Sequence, residues 1–397
     1  MRALWIPALL LVLQEPPGWR RLEQTLRPPA QKQIEITSWP EMLPLSELSS
    51  PEAPKLLEKF SEKPDELGLS TPVERALFQR LLWAFFDGQH RSWTRVDPDL
   101  VRLQKWLTGP PKQPKPDRLF LPAARLIRRL ALSEEEIRAL PDPYARTVES
   151  GTYAAEFDAT KPAQPFLPPD LWKADGPWIS LGNSTEQPLA VRHTAYFGGR
   201  SSFQIFLRVP EGRSAGLDLL KLLRSYRGES PYQPPKIPAM TQLVIVEQPL
   251  LINAANKLIL SPLVETVEIR VVRQPEIRFR FDNTAHAVFR FRLRPDLLAA
   301  QDPSPLRARG TGEEDWEPIS LLVESGRAGP WSTRSASLFL CTNCHGIQAN
   351  SLGIFEFRSI QKDAGTVEVV APEKERERAL RWKENEAAWK ELQSYWK

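Results

Sequence analysis

The residues with the most specific chemistry are Cys341, Thr342, Asn343, Cys344 and His345. Two thiols three positions apart can reach the two vinyl groups on one edge of a haem. An imidazole directly after the second thiol then lies under the iron, with a ring nitrogen to donate. The chain has 397 residues and only two cysteines, and both are in this motif. Three other readings of the pair stay open. Structural zinc wants four ligands, and no second Cys pair or spaced His pair exists here. A thioredoxin-like dithiol wants a βαβ setting, but Ser337 to Leu340 is short and no parallel sheet is expected after it. A plain Cys341–Cys344 disulfide suits an exported protein and is the strongest alternative.

Over Cys341 to His345 the sequence resembles bacterial c-type cytochromes. That resemblance implies one covalent haem c, attached through Cys341 and Cys344, with His345 as the proximal iron ligand and a redox protein as partner. Small class I members place a Met ligand well downstream. This chain has no Met after Met240 and only 52 residues after His345, so the usual His/Met pairing is not available. Upstream candidates for the sixth position are His286 and His193, with His90, Met42 and Met240 behind them. His286 opens an expected strand, and His193 lies within another, beside Tyr196 and Phe197. In overall organisation the chain resembles exported bacterial proteins with a lone CxxCH, a likeness that implies no activity.

The N-terminus agrees with export. Met1-Arg2 is a short positive end, and Ala3 to Leu13 is an apolar run broken only by Pro7. Such a run is too short to span a bilayer and fits the core of a signal peptide over residues 1–14. No A-x-A site or lipid-attachment Cys follows. The expected location is the periplasm or cell surface, where c-type haem is attached. No later stretch is long and apolar enough to be a transmembrane segment.

The elements that must carry the motif divide the chain by period. Hydrophobic residues make up 41% and charged residues 26%, so a real core is expected. The 39 prolines concentrate in linkers and at helix starts. Residues 15–50 read as an irregular Pro-rich leader. Residues 51–145 read as a helical domain, with capping boxes at Thr71-Pro72-Val73-Glu74 and Ser133-Glu134-Glu135-Glu136. Val73, Leu77, Leu81, Ala84 and Phe85 form one stripe. Asp97-Pro98 predicts another helix start, and residues 145–175 a Pro-rich loop.

From residue 176 the period becomes 2. A hairpin is expected from Ala190–Phe197 and Ser201–Val209 around Gly198-Gly199, then a helix over Leu217–Arg227. Strands follow at Thr241–Ile252, Lys257–Leu260, Val264–Val272, Glu276–Phe281 and Ala287–Leu293. Short connections predict an antiparallel, β-sandwich-like domain over 176–294. Residues 295–371 read as a loop-rich CxxCH segment with a possible strand pair at Gly353–Arg358 and Thr366–Val370, and 372–397 as one long amphipathic helix. The fold class is therefore α+β.

Two surfaces are candidates for binding. Alternation puts Arg270, Arg278, Arg280, Arg290 and Arg292 on the sheet face opposite Val267, Ile269, Phe279, Phe289 and Phe291. Like charges opposed across strands are destabilising, so this face needs Glu268 or other carboxylates, or an anionic partner. Ala379, Trp382, Trp389, Leu392 and Trp396 form a helical stripe that can dock a partner or lie on the protein itself.

The net charge of +4 and the lack of interleaved aromatic and basic residues argue against nucleic acid. There is no G-x-S-x-G, H-E-x-x-H, Walker loop or dinucleotide fingerprint. The sequence supports a monohaem redox protein, or a non-catalytic binding or scaffold protein with a structural disulfide.

Overall fold

The computed structural model describes residues 18–26, 52–94, 117–190, 193–194, 199–225, 237–273, 286–308 and 366–397. The signal-peptide reading, the helix at Asp97, the strands at 276–281 and 353–358 and the CxxCH motif lie outside them.

The first described element breaks the expectation of an irregular leader. Gly18–Leu26 forms helix α1, and its Leu22 and Leu26 are buried among residues of α2 (Ala53–Glu62) and α3 (Pro72–Thr94). Both capping boxes form. Thr71 Oγ1 accepts from the Glu74 N–H at 3.1 Å while the Glu74 carboxylate accepts from the Thr71 N–H at 2.9 Å, which starts α3. Helix α4 spans Asp117–Arg129. Ser133 and Glu136 exchange the same pair of bonds at α5 (Glu134–Arg138), and Asp142 caps α6 (Pro143–Glu149).

The strands are β1 (Ile179–Asn183), β2 (Ser201–Arg208), β3 (Gln242–Ile252), β4 (Leu258–Leu260), β5 (Thr266–Val272), β6 (His286–Leu293), β7 (Leu306–Ala308) and β8 (Val367–Val369). They make one antiparallel sheet in the order β7-β6-β5-β3-β2-β1-β8, with β4 added to β3. The second sheet of a sandwich is not found among the described residues. Helices and loops cover this sheet instead.

Two strand assignments change. The partner of β2 is β1, with Ile179 opposite Leu207, and not residues 190–197. Around Ala190 the chain turns: the Thr194 N–H donates to the Ala190 carbonyl at 2.8 Å, and the Gly199 N–H to Thr194 at 2.7 Å. His193 therefore lies in a helical turn rather than a strand. The short edge strand β7 also lies in what reads as loop. It is pinned by the Leu306 N–H on Thr147 Oγ1 and the Ala308 N–H on the Tyr153 hydroxyl.

Period 2 places the sheet's side chains as the sequence predicts. On the core face, Phe206, Val244, Val246, Val267, Ile269, Phe289 and Phe291 are buried with Tyr144, Phe166 and Leu171. On the opposite face, Ile179, Leu181 and Leu207 are buried under Leu219, Leu220 and Leu223 of α7 (Arg213–Ser225). Short helix α8 (Pro295–Ala299) leads from β6 toward β7.

The C-terminus is two helices, α9 (Pro372–Asn385) and α10 (Ala387–Ser394), separated at Glu386, whose φ of −70 is helical but whose ψ of 143 leaves the helical region.

 Beyond this break the tryptophan stripe lies on the protein's own α3. Trp389 is buried between Trp83 at 5.9 Å and Trp396 at 5.7 Å between ring centroids. Trp396 donates its indole N–H to the Ala124 carbonyl at 2.8 Å. Among the described residues, no helix is long and apolar enough to cross a membrane.

Candidate functional site

The motif at 341–345 lies outside the described residues, as do residues 309–340 before it and 346–365 after it. The last described residue before it, Ala308, ends β7 and pairs with Phe291 of β6. After it, Val367 opens β8 and pairs with Asn183 of β1. β7 and β8, the described strands before and after the motif in the chain, are the two opposite edges of the sheet, with β8 as the downstream anchor.

The downstream anchor is held by α9. The Glu375 carboxylate accepts from the Asn183 N–H at 3.2 Å and the Leu189 N–H at 2.9 Å, and it pairs with Arg378 one turn on. Both side chains are buried. Gly182 is needed here, because a Cβ on it would meet Glu375 Oε1 and Val370 at 2.6 Å.

A second buried set joins α9 to α3. Asp87 Oδ2 accepts from Lys383 Nζ at 2.5 Å and from Arg200 at 3.0 Å. Asp87 and Lys383 are 0% exposed, and Lys383 lies 5.1 Å from the Trp83 ring. Burial pulls the Lys383 ammonium below its ordinary value, against the opposing pull of Asp87 and Glu386. Gly199 has φ +66, and a Cβ there would sit 3.1 Å from Lys383. A third set ties α3 to the sheet: Arg80 bonds to Glu265 at 3.1 and 3.2 Å and to Ser201 at 2.6 Å. With such burial, no substrate reaches these charges, and their chemistry is that of a lock between elements. The sequence signal for them was polar residues inside an apolar stripe: Arg80 and Asp87 are seven apart on the buried side of α3.

The arginine face is placed in part. Glu268 of β5 lies directly opposite Arg290 of β6, while Arg270 faces Val288 and Arg292 faces Thr266. Register thus keeps these arginines from opposing one another. Glu268 accepts from Arg270 at 2.7 Å and from Arg290 at 2.8 Å, which supplies the expected offset. Arg278 and Arg280 lie outside the described residues. Burial would raise the Glu268 carboxyl, but Arg270 and Arg290 outweigh it and hold it far below the ordinary glutamate value. A carboxyl depressed on folding stabilises above its unfolded pKa of about 4.3, and that contribution fades as pH falls toward the folded value. Glu268→Gln is therefore expected to be less stable than the parent at pH 7, with the gap in urea midpoint narrowing at pH 3. A gap that does not change with pH would contradict this assignment.

Of the histidines weighed as iron ligands, His193 lies 5.5 Å from the Phe203 ring on the face opposite the core. His286 opens β6 in register with Val272. Among the described residues, no group of three or more His, Cys, Asp or Glu is placed to hold a metal ion. No family model, curated protein or solved structure matches the chain.

Proposed function

We propose that this chain is an exported, monohaem c-type cytochrome-like protein with a redox role. The observation that carries the reading is Cys341-Thr342-Asn343-Cys344-His345 in a chain with no other cysteine. Two thiols and an adjacent imidazole are the donor set that a covalent haem requires. Cys341 and Cys344 would hold the macrocycle and His345 would ligate the iron. When bound, haem supplies a one-electron iron couple whose potential depends on its axial ligands and surroundings.

The test is the protein expressed with cytochrome c maturation factors. Haem is expected to stay with the chain through acid–acetone extraction, and Cys341→Ala with Cys344→Ala to abolish that retention. Equal retention in the double variant would sink the proposal.

A further inference from the structure

We infer that α9 is a strap that opens by itself from β1 and β2, while the sheet and α10 stay folded, and that it uncovers a strip of neutral polar side chains. The inference does not depend on haem. Two glycines fix where the strap lies. A Cβ on Gly182 would meet Glu375 Oε1 at 2.6 Å, and one on Gly199 would meet Lys383 at 3.1 Å. Gly182 follows Leu181, which lies opposite Ile205, and Gly199 comes just before β2. The strap therefore runs along β2 on the face that carries Phe206. Arg376 of α9 agrees, lying 5.2 Å over Trp172, which itself packs on Phe206.

Period 2 puts Ser202 and Gln204 on that same face, between the two glycine contacts. Ser202 is 0% and Gln204 1% exposed. Gln204 donates its amide to Gln248 of β3 at 3.0 Å. Ser202 Oγ, Gln204 Oε1 and Arg378 Nε, however, find no hydrogen-bond partner among the described residues. A buried polar group without a partner raises the free energy of the closed state, and opening returns it to water.

The underside of the strap is equally short of apolar area. The buried residues of α9 are Glu375, Arg378, Ala379 and Lys383. Three are charged, and their desolvation offsets much of what their pairing gains. Truncating one partner strands the other in the interior, whereas lifting the whole helix hydrates both. Helix α10 is held differently, by buried Ala388, Trp389 and Leu392, so leaving the core would expose apolar surface. The two helices are uncoupled at Glu386, where ψ is 143. At the other end Ala371 has ψ 139 and Pro372 starts α9, which separates the helix from β8. Helix α9 has 14 residues, a length that is marginal in water without packing. Tied at both ends, it unwinds as it leaves the sheet and forms a local opening unit.

Native-state hydrogen exchange of the full chain, read in rising urea below the unfolding midpoint, tests this. Amides of α9 are expected to exchange on the order of tenfold faster than those of β2 and of Ala388 to Leu392 in α10. Their exchange should also depend less on urea, because a local opening exposes little surface. Exchange of α9 in step with α10 and β2, with the same urea dependence, would overturn the inference. Glu375→Gln gives a second reading, since it leaves the loop N–H groups an acceptor but takes the charge from beside Arg378. It should speed exchange several-fold in α9 and leave β2 and α10 unchanged. Equal acceleration in all three, or none in α9, would contradict the strap. If this variant does not fold, the parent's exchange decides. Neither reading involves haem, so the outcome is separate from that of the cytochrome proposal.

Discussion

Asp87→Ala is expected to lower the unfolding free energy by about 3–5 kcal/mol, the cost of breaking a buried ion pair. The variant leaves two cations, Lys383 and Arg200, in a site where Asp87 and Lys383 are 0% exposed. Lys383→Met is expected to cost less. It removes a charge, lets an apolar chain follow the lysine stem beside Trp83, and leaves Asp87 with Arg200 at 3.0 Å. Urea midpoints of the two variants check the order. A Lys383→Met loss equal to or larger than that of Asp87→Ala would show that the lock is not held by this carboxylate.

Trp389→Ala is expected to cost about 3–5 kcal/mol as well, through the lost transfer energy and the cavity left behind. Its ring sits between Trp83 and Trp396, in the same core as Phe86 and Phe120. The loss should appear in the urea midpoint and as faster proteolysis within α9 and α10. A variant with an unchanged midpoint would mean that this helix contributes little to the core, and the stripe would again be a candidate for docking a partner.

Much of the fold was legible because its signals are local. The two capping boxes form where Thr71 and Ser133 place them, and β2, β3, β5 and β6 follow alternation that a half-buried strand imposes. The readings that failed depended on distant partners. Gly198-Gly199 reads as a hairpin turn, yet β1 takes the place beside β2 that residues 190–197 were expected to fill. The helices that replace a second sheet cannot be assigned to it from sequence, since an apolar stripe does not say what it faces. The break at Glu386 interrupts a helical pattern with no Gly or Pro to mark it. Charges such as Asp87 and Lys383, 296 residues apart, carry no sequence signature of their pairing. Of the arginine face, Arg270, Arg290 and Arg292 follow the alternation, with Glu268 as the offset for Arg270 and Arg290.

The central claim is most directly tested by the reduced-minus-oxidised visible spectrum of the purified exported protein, taken with its intact mass. The account predicts a Soret band and a chain heavier by one haem. A chain of unmodified mass less two protons, with no Soret band and a Cys341–Cys344 disulfide, would contradict it.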